Sequence, residues 1–399
     1  MICKSLLELN NFLITCSPPY SIPIDNGRIQ RVDFTQDFKG GNTLNAKNRP
    51  WKQTLAVLSA AALVAAAGCS KSPSPKAELE SALASIAAAS SYAFHSTVNF
   101  DDLQLPSGQA AGAATGEAAS LLKGMNITMD GVYQKDPMRT DANVQLALPG
   151  NPQMNLTLPI IMTGSKLYVK VPSIPALPAT AQLADKYVVI DTDKLAEEQG
   201  EQAAALDPAV QQKLMLEAGA AFIKPFEEKT YFKSLKAKDV QGLPEGLEPD
   251  SVSQFLIDSS NAEDAKATAA QKAIPAVLDV VLGNEQYLKA LGMDKAEAED
   301  SKKQLQDPQS ELSKKLKEQL KLSEVKVLGA VKDGKMAYES VDANIEYAGG
   351  KSGPLKLVMH STTSYSKVGE KAAFTGAIPT DAIPVEQLEA ALQGSAASK

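Results

Sequence analysis

The stretch Tyr92-Ala-Phe-His-Ser-Thr-Val-Asn-Phe-Asp101 sets the pattern from which the fold is predicted. Every second residue from Tyr92 to Phe100 is aromatic, aliphatic or serine, and most of the residues between them are polar. Successive side chains of a β-strand point to opposite faces of its sheet, so an alternation with a period of two is typical of a half-buried strand. The stretch therefore predicts a strand with one face against a core and the other face in water.

The same alternation recurs downstream in several short segments. Turn residues separate the segments, among them Pro149-Gly-Asn-Pro152 and Gly164-Ser165. Short gaps of this kind suit hairpins, so we expect an antiparallel meander rather than a parallel sheet. The further strands predicted here are residues 125–133, 142–148, 154–162, 167–171 and 186–190.

A block rich in Ala, Glu, Lys, Gln and Leu runs from Asp193 to about Leu322 and predicts helices. An amphipathic helix is also predicted before the first strand, at residues 76–90. A sheet that is interrupted by helices packs them on one face, so the predicted fold class is α+β. The helices predicted in the block are residues 193–204, 207–222, 251–258, 263–282 (strained by Pro275), 284–291 and 308–321. The strands predicted after it are residues 324–331, 335–347, 354–365 and 371–376.

A different pattern precedes the predicted domain. Lys47, Arg49 and Lys52 stand before an uncharged run that is long enough for a signal-peptide core and shorter than the roughly 20 residues that span a bilayer. The run ends in Ala66-Ala67-Gly68-Cys69, which resembles the lipobox of bacterial lipoproteins. That resemblance implies that Cys69 is lipidated and that the chain is cut before it. The alternative is an ordinary secretory signal that ends beside a cysteine.

These features predict the organisation of the whole chain. Residues 44–68 are expected to be the signal peptide, and residues 69–76, rich in Ser and Pro, a flexible tether. Residues 1–43 are mixed in composition and carry 4 acidic residues, so we expect an extension that is untranslated or discarded. A single domain at 77–394 follows, with the helical insertion at 193–322. The expected location is the extracytoplasmic face of the cell membrane, with N-terminal acyl chains as the anchor.

Charge and cysteine content limit the partners. The first 68 residues hold 7 of the 40 basic and 4 of the 47 acidic residues, so the remainder has a net charge of about −10. An acidic domain without a basic stripe is not expected to bind nucleic acid. Cys3 and Cys16 precede the signal peptide and Cys69 is taken by lipid, which leaves no disulfide and no thiol nucleophile.

The residues of the predicted domain indicate neither catalysis nor a metal site. His95 and His360 are its only histidines, and they fall on the polar side of their strands. A zinc site needs three or four clustered ligands, and no motif of a hydrolase or a nucleotide-binding loop is present in the sequence. We therefore predict a protein that is not an enzyme and holds no cofactor and no metal.

Methionines are frequent on the predicted strands, although methionine has no preference for strands. A methionine-rich wall is soft and can adapt to ligands of different shape, but methionine also fills irregular gaps in an ordinary core. Both interpretations stay open at this point. The residues concerned are Met125, Met129, Met154, Met162, Met336 and Met359.

Several short motifs resemble the lipoprotein carriers of the LolA and LppX/LprG family. They are a Tyr-x-Phe-x-x-x-Val strand from Tyr92 to Val98, a Gly-x-Tyr-x-x-x-Pro-x-Arg link from Gly131 to Arg139, a Leu-Tyr-Val strand at 167–169, and Lys186-Tyr-Val-Val-Ile190. The resemblance implies a curved antiparallel half-barrel whose concave face is covered by helices, with an apolar cavity between them. It also implies that Arg139, the only arginine after Cys69, contacts the helical cap.

A cavity of this kind would be lined by the alternating apolar residues of the strands. The first functional hypothesis is accordingly a membrane-anchored lipoprotein that binds an apolar ligand, a lipid, between sheet and helices. The second is a non-catalytic envelope interaction or structural lipoprotein without a cavity, whose partner is another envelope protein. The predicted cavity residues are Phe94, Val98, Ile127, Met129, Val144, Leu146, Met154, Leu156, Leu158, Met162, Leu167, Val169, Leu357 and Met359.

Overall fold

The computed structural model describes residues 73–104, 123–148, 154–173, 183–192, 194, 208–291, 293–349 and 354–388. The extension, the signal peptide, Cys69 and nearly all of the helix predicted at 193–204 lie outside the described residues. The predictions made for them are therefore untested by the structure.

Within the described ranges, twelve strands form one sheet. From one edge to the other their order is β12-β6-β5-β4-β3-β2-β1-β11-β10-β9-β8-β7. Neighbours are antiparallel, except that β12 pairs in parallel with β6. The strands are β1 (Ser91–Gln104), β2 (Asn126–Gln134), β3 (Arg139–Leu148), β4 (Met154–Thr163), β5 (Lys166–Lys170), β6 (Tyr187–Asp191), β7 (Phe232–Leu235), β8 (Ser251–Ile257), β9 (Leu320–Lys332), β10 (Lys335–Tyr347), β11 (Leu355–Ser366) and β12 (Ile383–Pro384).

Of the α-helices that the structure describes in full, one precedes the sheet in sequence and seven lie between β6 and β9, and residues 385–388 after β12 are also helical. The eight helices before β9 are α1 (Pro75–Ala88), α2 (Pro208–Ile223), α3 (Glu228–Tyr231), α4 (Ala262–Thr268), α5 (Ile274–Leu282), α6 (Glu285–Ala290), α7 (Lys295–Gln306) and α8 (Glu311–Gln319). The α+β class, with a curved and unclosed antiparallel sheet that carries helices on one face, is thus confirmed.

Helix α1 forms the centre of the main core. Leu79, Ala82 and Ile86 recur at helical spacing, are buried, and pack with Phe255 of β8. Burying one Leu or Ile side chain stabilises a fold by roughly 1.5 to 3 kcal/mol. Gly329 of β9 lets the helix approach closely, since a Cβ there would stand 2.7 Å from Cδ1 of Leu79. The face of the sheet that contacts α1 is called the inner face below.

The start of α1 has the residues that a helix N-terminus favours. The Ser74 side chain accepts a hydrogen bond from the backbone N–H of Ala77, and Pro75 occupies the first turn. Lys76 donates to the carbonyl oxygen of Phe226 at 2.8 Å, which attaches α1 to the segment after α2. The amphipathic helix predicted at 76–90 is confirmed by α1.

The helix predicted at 251–258 is wrong, because Ser251–Ile257 is β8. Both faces of β8 are covered: Phe255 packs in the core with α1, and Val252 on the opposite face packs against Val240 and Leu243 of the loop after β7. A strand that is buried on both faces shows no alternation in its sequence. For this reason the sequence of β8 gives no strand pattern inside the block predicted as helical.

The strand predicted at 371–376 is also wrong, because the chain there has no regular structure. Its apolar residue Phe374 is used in a tertiary contact, with the Arg139 guanidinium 4.2 Å from the ring centroid. The alternation that suggested a strand has no partner strand to pair with in the described part of the chain.

The predicted helix at 263–282 is continuous but irregular. A π-helical segment, Ala269–Ala273, joins α4 to α5, and Pro275 lies in the first turn of α5. Proline lacks the N–H that would bond to the preceding turn of a continuous helix, and helices adjust to such a break by local irregularities such as a π-helical segment. The predicted strain at Pro275 is therefore accommodated without ending the helix.

Candidate functional site

An apolar cluster lies on the inner face of the first strands and of β11. We call it the aliphatic cluster. Its buried members are Phe100, Leu103, Met125, Ile127, Leu146 and Leu158, and its partly buried members are Val98, Met129, Val144, Leu148, Leu156, Leu357 and Met359.

Cross-strand register brings this cluster together. Val98 of β1 stands opposite Ile127 of β2, Ile127 opposite Leu146 of β3, and Leu146 opposite Leu156 of β4. Residues directly opposite each other in antiparallel strands project on the same face, so these side chains form one row across four strands. Met129 belongs to the next row along the same strands.

The structure gathers most of the predicted cavity residues in this cluster, although it holds no ligand that would test their role. Phe94 instead packs against the main core. Met162, Leu167 and Val169 share the inner face by register but lie nearer β6, outside the cluster. The side chain of Met154 lies outside the described residues. The cavity-lining role of all these residues stays a prediction.

Helix contacts are concentrated at the other end of the sheet. Helix α1 packs against β7, β8, β9 and β10, and its apolar residues belong to the main core. In the aliphatic cluster, every member from the described residues comes from a strand or is Met125, directly before β2. The two ends of the inner face therefore differ. Helices cover one end, whereas the apolar residues described at the other end come from strands.

A group of aromatic and polar side chains includes three tyrosines of the main core, Tyr92, Tyr133 and Tyr365. Tyr92 of β1 is 4.9 Å from Tyr133 of β2 and 5.5 Å from Tyr365 of β11, measured between ring centroids. The Tyr365 hydroxyl donates to Oε2 of Glu339 on β10 at 3.1 Å. Nε2 of Gln212 on α2 donates to the Tyr92 hydroxyl at 2.6 Å. We call these five residues the tyrosine cluster.

Burial controls the ionisation of the tyrosine cluster. Loss of solvent raises the pKa of the Glu339 carboxyl above its ordinary value, and the hydrogen bond from Tyr365 opposes that rise. Burial also raises the pKa of Tyr92 and that of Tyr365 well above the ordinary tyrosine value. The two tyrosines are therefore uncharged at neutral pH.

The sequence pattern alone did not indicate Tyr365, Glu339 or Gln212 as parts of a site. They come from β11, β10 and α2, and only the register of β1 with β11 places Tyr365 beside Phe94 and Tyr92. A usable signal was present, since the inner-face positions of β11 change from apolar at Leu357 and Met359 to hydroxyl-bearing at Ser361, Thr363 and Tyr365.

Arg139 makes its contacts with its own strand and with the C-terminal segment. It holds Asp141 through two hydrogen bonds, from Nε at 2.7 Å and from Nη2 at 2.8 Å. Nη2 also donates to the carbonyl oxygen of Gly376 at 2.6 Å, and the guanidinium lies over Phe374. These contacts involve the segment at 374–376. The contact with the helical cap that the resemblance implies stays a prediction.

The histidines occupy the outer face, as predicted. His95 stands beside Asp130 with 2.7 Å between Nδ1 and Oδ1, and His360 contacts Asp342. In the ranges that the structure covers, no three His, Cys, Asp or Glu side chains are grouped as metal ligands would be. None of the helices in those ranges is long and apolar enough to cross a membrane.

Comparisons with known proteins give a likeness among solved structures. No protein-family model matches the chain, and no curated protein matches it. Among solved structures, the crystal structure of the Mycobacterium tuberculosis lipoprotein LppX is similar over 74% of this chain and 96% of that chain, with 11% sequence identity and a TM-score of 0.29. The fold described above rests on the strand pairings and not on this likeness.

Proposed function

We propose that this protein is a membrane-anchored lipoprotein that binds an apolar ligand, a lipid, at the aliphatic cluster. One observation carries the proposal. The cluster is a continuous surface of aliphatic, aromatic and methionine side chains that the described strands build without an apolar residue from a described helix.

The chemistry of the cluster suits an acyl chain. None of its members carries a polar side-chain group, so a bound acyl chain would leave no polar side chain of the cluster without a hydrogen-bond partner. Met129 and Met359 are partly buried at its margin, where flexible thioether side chains can adapt to chains of different length. Each methylene that leaves water for such a surface contributes about 0.8 kcal/mol.

The N-terminal sequence supports a membrane setting for this ligand. The signal-like run and the lipobox-like residues before Cys69 would place the domain beside a bilayer, on a short tether. A lipid is the apolar molecule that such a domain meets at high concentration. It is therefore the ligand that we assign to the aliphatic cluster.

Burial within the cluster supports the second function considered from sequence. Ile127, Leu146 and Leu158 are only 4%, 7% and 5% exposed, as in a close-packed core. In that case the sheet would be a solid scaffold that presents an interaction surface to an envelope protein. The two functions differ in whether a lipid occupies the inner face.

Native mass spectrometry of the lipidated protein, extracted gently from membranes, tests the proposal. We expect an additional mass that corresponds to one non-covalent lipid and that is released when the protein is unfolded, apart from the covalent acyl chains on Cys69. A protein that carries only the covalent acyl chains under these conditions would contradict lipid binding and leave the scaffold function.

A further inference from the structure

Polarity changes along the strands of the inner face. On β1 the inner positions run from Tyr92 through Ser96 to Val98 and Phe100, and on β11 they run antiparallel from Tyr365 through Thr363 to Met359 and Leu357. Hydroxyl oxygens of Ser96 and Thr363 lie 3.1 Å apart between the two ends. The tyrosine cluster and the aliphatic cluster are therefore the polar and apolar ends of one surface.

The lengths of the two ends match an amphiphile. From Val98 to Leu103 the strand advances about 17 Å, at roughly 3.3 Å per residue. One acyl chain spans about half of the ~30 Å hydrocarbon core of a bilayer, or roughly 15 Å. A chain that lies along the aliphatic cluster would thus place its head group beside Val98, where the next inner-face row, roughly 7 Å along the strand, holds Ser96, Thr363 and Glu339.

The charged side chains on the inner face determine whether a charged or an uncharged head group can bind there. Glu339 is an acidic residue at an inner-face position, and the register places no Lys or Arg at an inner-face position of the described strands. Basic residues of the strands, such as Lys326 and Lys356, project on the outer face, where they contact Asp342 and Asp102. A phosphate or carboxylate on the inner face would find no counter-charge from the sheet.

The hydrogen bonds within the tyrosine cluster leave a hydroxyl proton and a carboxyl oxygen with which an uncharged ligand could form hydrogen bonds. The Tyr92 oxygen accepts from Gln212 and makes no other side-chain hydrogen bond to the described residues, so its own proton can be donated to an oxygen of a ligand. Glu339 accepts from Tyr365 through Oε2, and its other carboxyl oxygen can accept from a hydroxyl or, when protonated, donate to a carbonyl.

We propose that the tyrosine cluster binds the uncharged, hydroxyl-bearing head group of an amphiphilic lipid whose acyl chain lies along the aliphatic cluster. This inference rests on the proposed function and deepens it by naming the class of ligand. Tyr92, Tyr365, Glu339 and Gln212 act as hydrogen-bonding groups. The raised pKa of Glu339 agrees with this role, because the protonated carboxyl can donate to a head-group carbonyl and the ionised carboxyl can accept from a hydroxyl.

Photo-crosslinking with two probes tests the inference in membranes that contain the full chain. Both probes carry the same acyl chain with a diazirine and an alkyne; one is a monoacylglycerol and the other a free fatty acid. Each is added at pH 8, where the fatty acid in solution is ionised. Crosslinked peptides are then mapped, so that label on the inner face is separated from lipid attached to Cys69.

The variants are Tyr365→Phe and a matched control, Tyr168→Phe, which removes a hydroxyl from the outer face of β5. Tyr168 stands opposite Ile161 and Val189, away from the tyrosine cluster. We expect the monoacylglycerol to label the inner face about tenfold more than the fatty acid, and Tyr365→Phe to lower that label about five- to tenfold, the effect of one buried hydrogen bond. Tyr168→Phe should keep the wild-type label.

The outcomes separate the two claims. Equal labelling of the inner face by both probes, unchanged by Tyr365→Phe, would overturn the head-group site and leave lipid binding standing. Stronger labelling by the fatty acid would also overturn it. Absence of label from the inner face of the wild type with either probe would overturn the proposed function and this inference together.

Discussion

The ring of Phe94 lies against Gly131 on the neighbouring strand, so close that a Cβ on Gly131 would stand 2.5 Å from Cζ of Phe94. The two residues are direct cross-strand partners in the pairing of β1 with β2. Glycine leaves a gap in the inner face that the aromatic ring fills. Phe94 is thereby fixed beside Tyr92, with 6.1 Å between ring centroids, at the boundary of the tyrosine cluster.

Replacing Gly131 by alanine should therefore destabilise the domain. The new methyl group would collide with the Phe94 ring and with the Asp141 carbonyl oxygen, which would be 2.8 Å away. Overpacking of this kind costs roughly 1 to 3 kcal/mol. Urea unfolding measures the loss, with Gly219→Ala in α2 as control, because a Cβ there meets no atom within 4 Å. A Gly131→Ala variant as stable as the wild type would show that Phe94 moves freely.

Arg139→Lys should loosen the C-terminal segment although the charge is kept. Lysine cannot reproduce the two parallel hydrogen bonds to Asp141 or the contact of the guanidinium with Phe374. Hydrogen bonds to charged groups contribute about 1.5 to 3 kcal/mol, and we expect a loss of stability of that order. Limited proteolysis after Lys371 should be faster than in the wild type. Unchanged cleavage and unfolding would mean that Arg139 does not hold this segment.

Glu339→Gln should change how stability depends on pH. The folded-state pKa of Glu339 is raised above the ordinary value of 4.5, so its contribution to stability is present below that pH and is lost as the pH rises through the raised pKa. The wild type should therefore lose stability relative to Glu339→Gln as the pH rises above 4.5 and through the raised pKa. Unfolding free energies of both proteins across this range measure the difference.

Glu346→Gln is the control of opposite sign. A hydrogen bond from Lys321 holds the pKa of Glu346 below its ordinary value, so its contribution is present above that value and is lost as the pH falls. This variant should lose stability relative to the wild type at neutral pH and match it in acid. If Glu339→Gln behaved in the same way, the burial of Glu339 would be contradicted.

Cys69→Ala should abolish retention of the protein in the membrane. The tether alone is polar and short, so without acyl chains nothing in it favours a bilayer. Fractionation after a high-salt wash, together with labelling by a fatty-acid analogue, measures the effect, and Cys16→Ala should behave as the wild type. A Cys69→Ala protein that stays in the washed membranes would contradict the lipobox interpretation.

Strands with one buried apolar face and one polar face could be predicted from the sequence. The alternation in β1 and β10 is visible because Val98 and Val341 face inward while Thr97 and Asp342 face outward. Strand β8 escaped prediction because both of its faces are covered, so Val252 and Phe255 give no period of two.

The candidate site could be predicted only in part. The aliphatic cluster is built mainly by neighbouring hairpins, whose register follows from short turns, so its residues could be found by alternation. The tyrosine cluster needs β1 beside β11, where Ser96 and Thr363 are 267 residues apart in sequence. Pairing over such a distance leaves no local pattern, and Gln212 is added by a helix whose docking site depends on the completed sheet.

Filling the aliphatic cluster with tryptophan tests lipid binding most directly. Met129→Trp and Thr128→Trp place the same ring on the inner and the outer face of β2, since Met129 is opposite Val144 and Thr128 is opposite Gln145. Binding of a fluorescent fatty-acid ester and thermal unfolding are measured for both variants and for the wild type. The ester is used because its head is uncharged.

We predict that Met129→Trp lowers binding of the ester about tenfold or more with little loss of stability, because the ring occupies space that the ligand uses, and that Thr128→Trp binds as the wild type does. The contrary result is a wild type that does not bind the ester, together with a Met129→Trp variant destabilised by roughly 1 to 3 kcal/mol, as expected when a ring is forced into a close-packed core. That result would show that the inner face is solid and that the protein does not carry a lipid there.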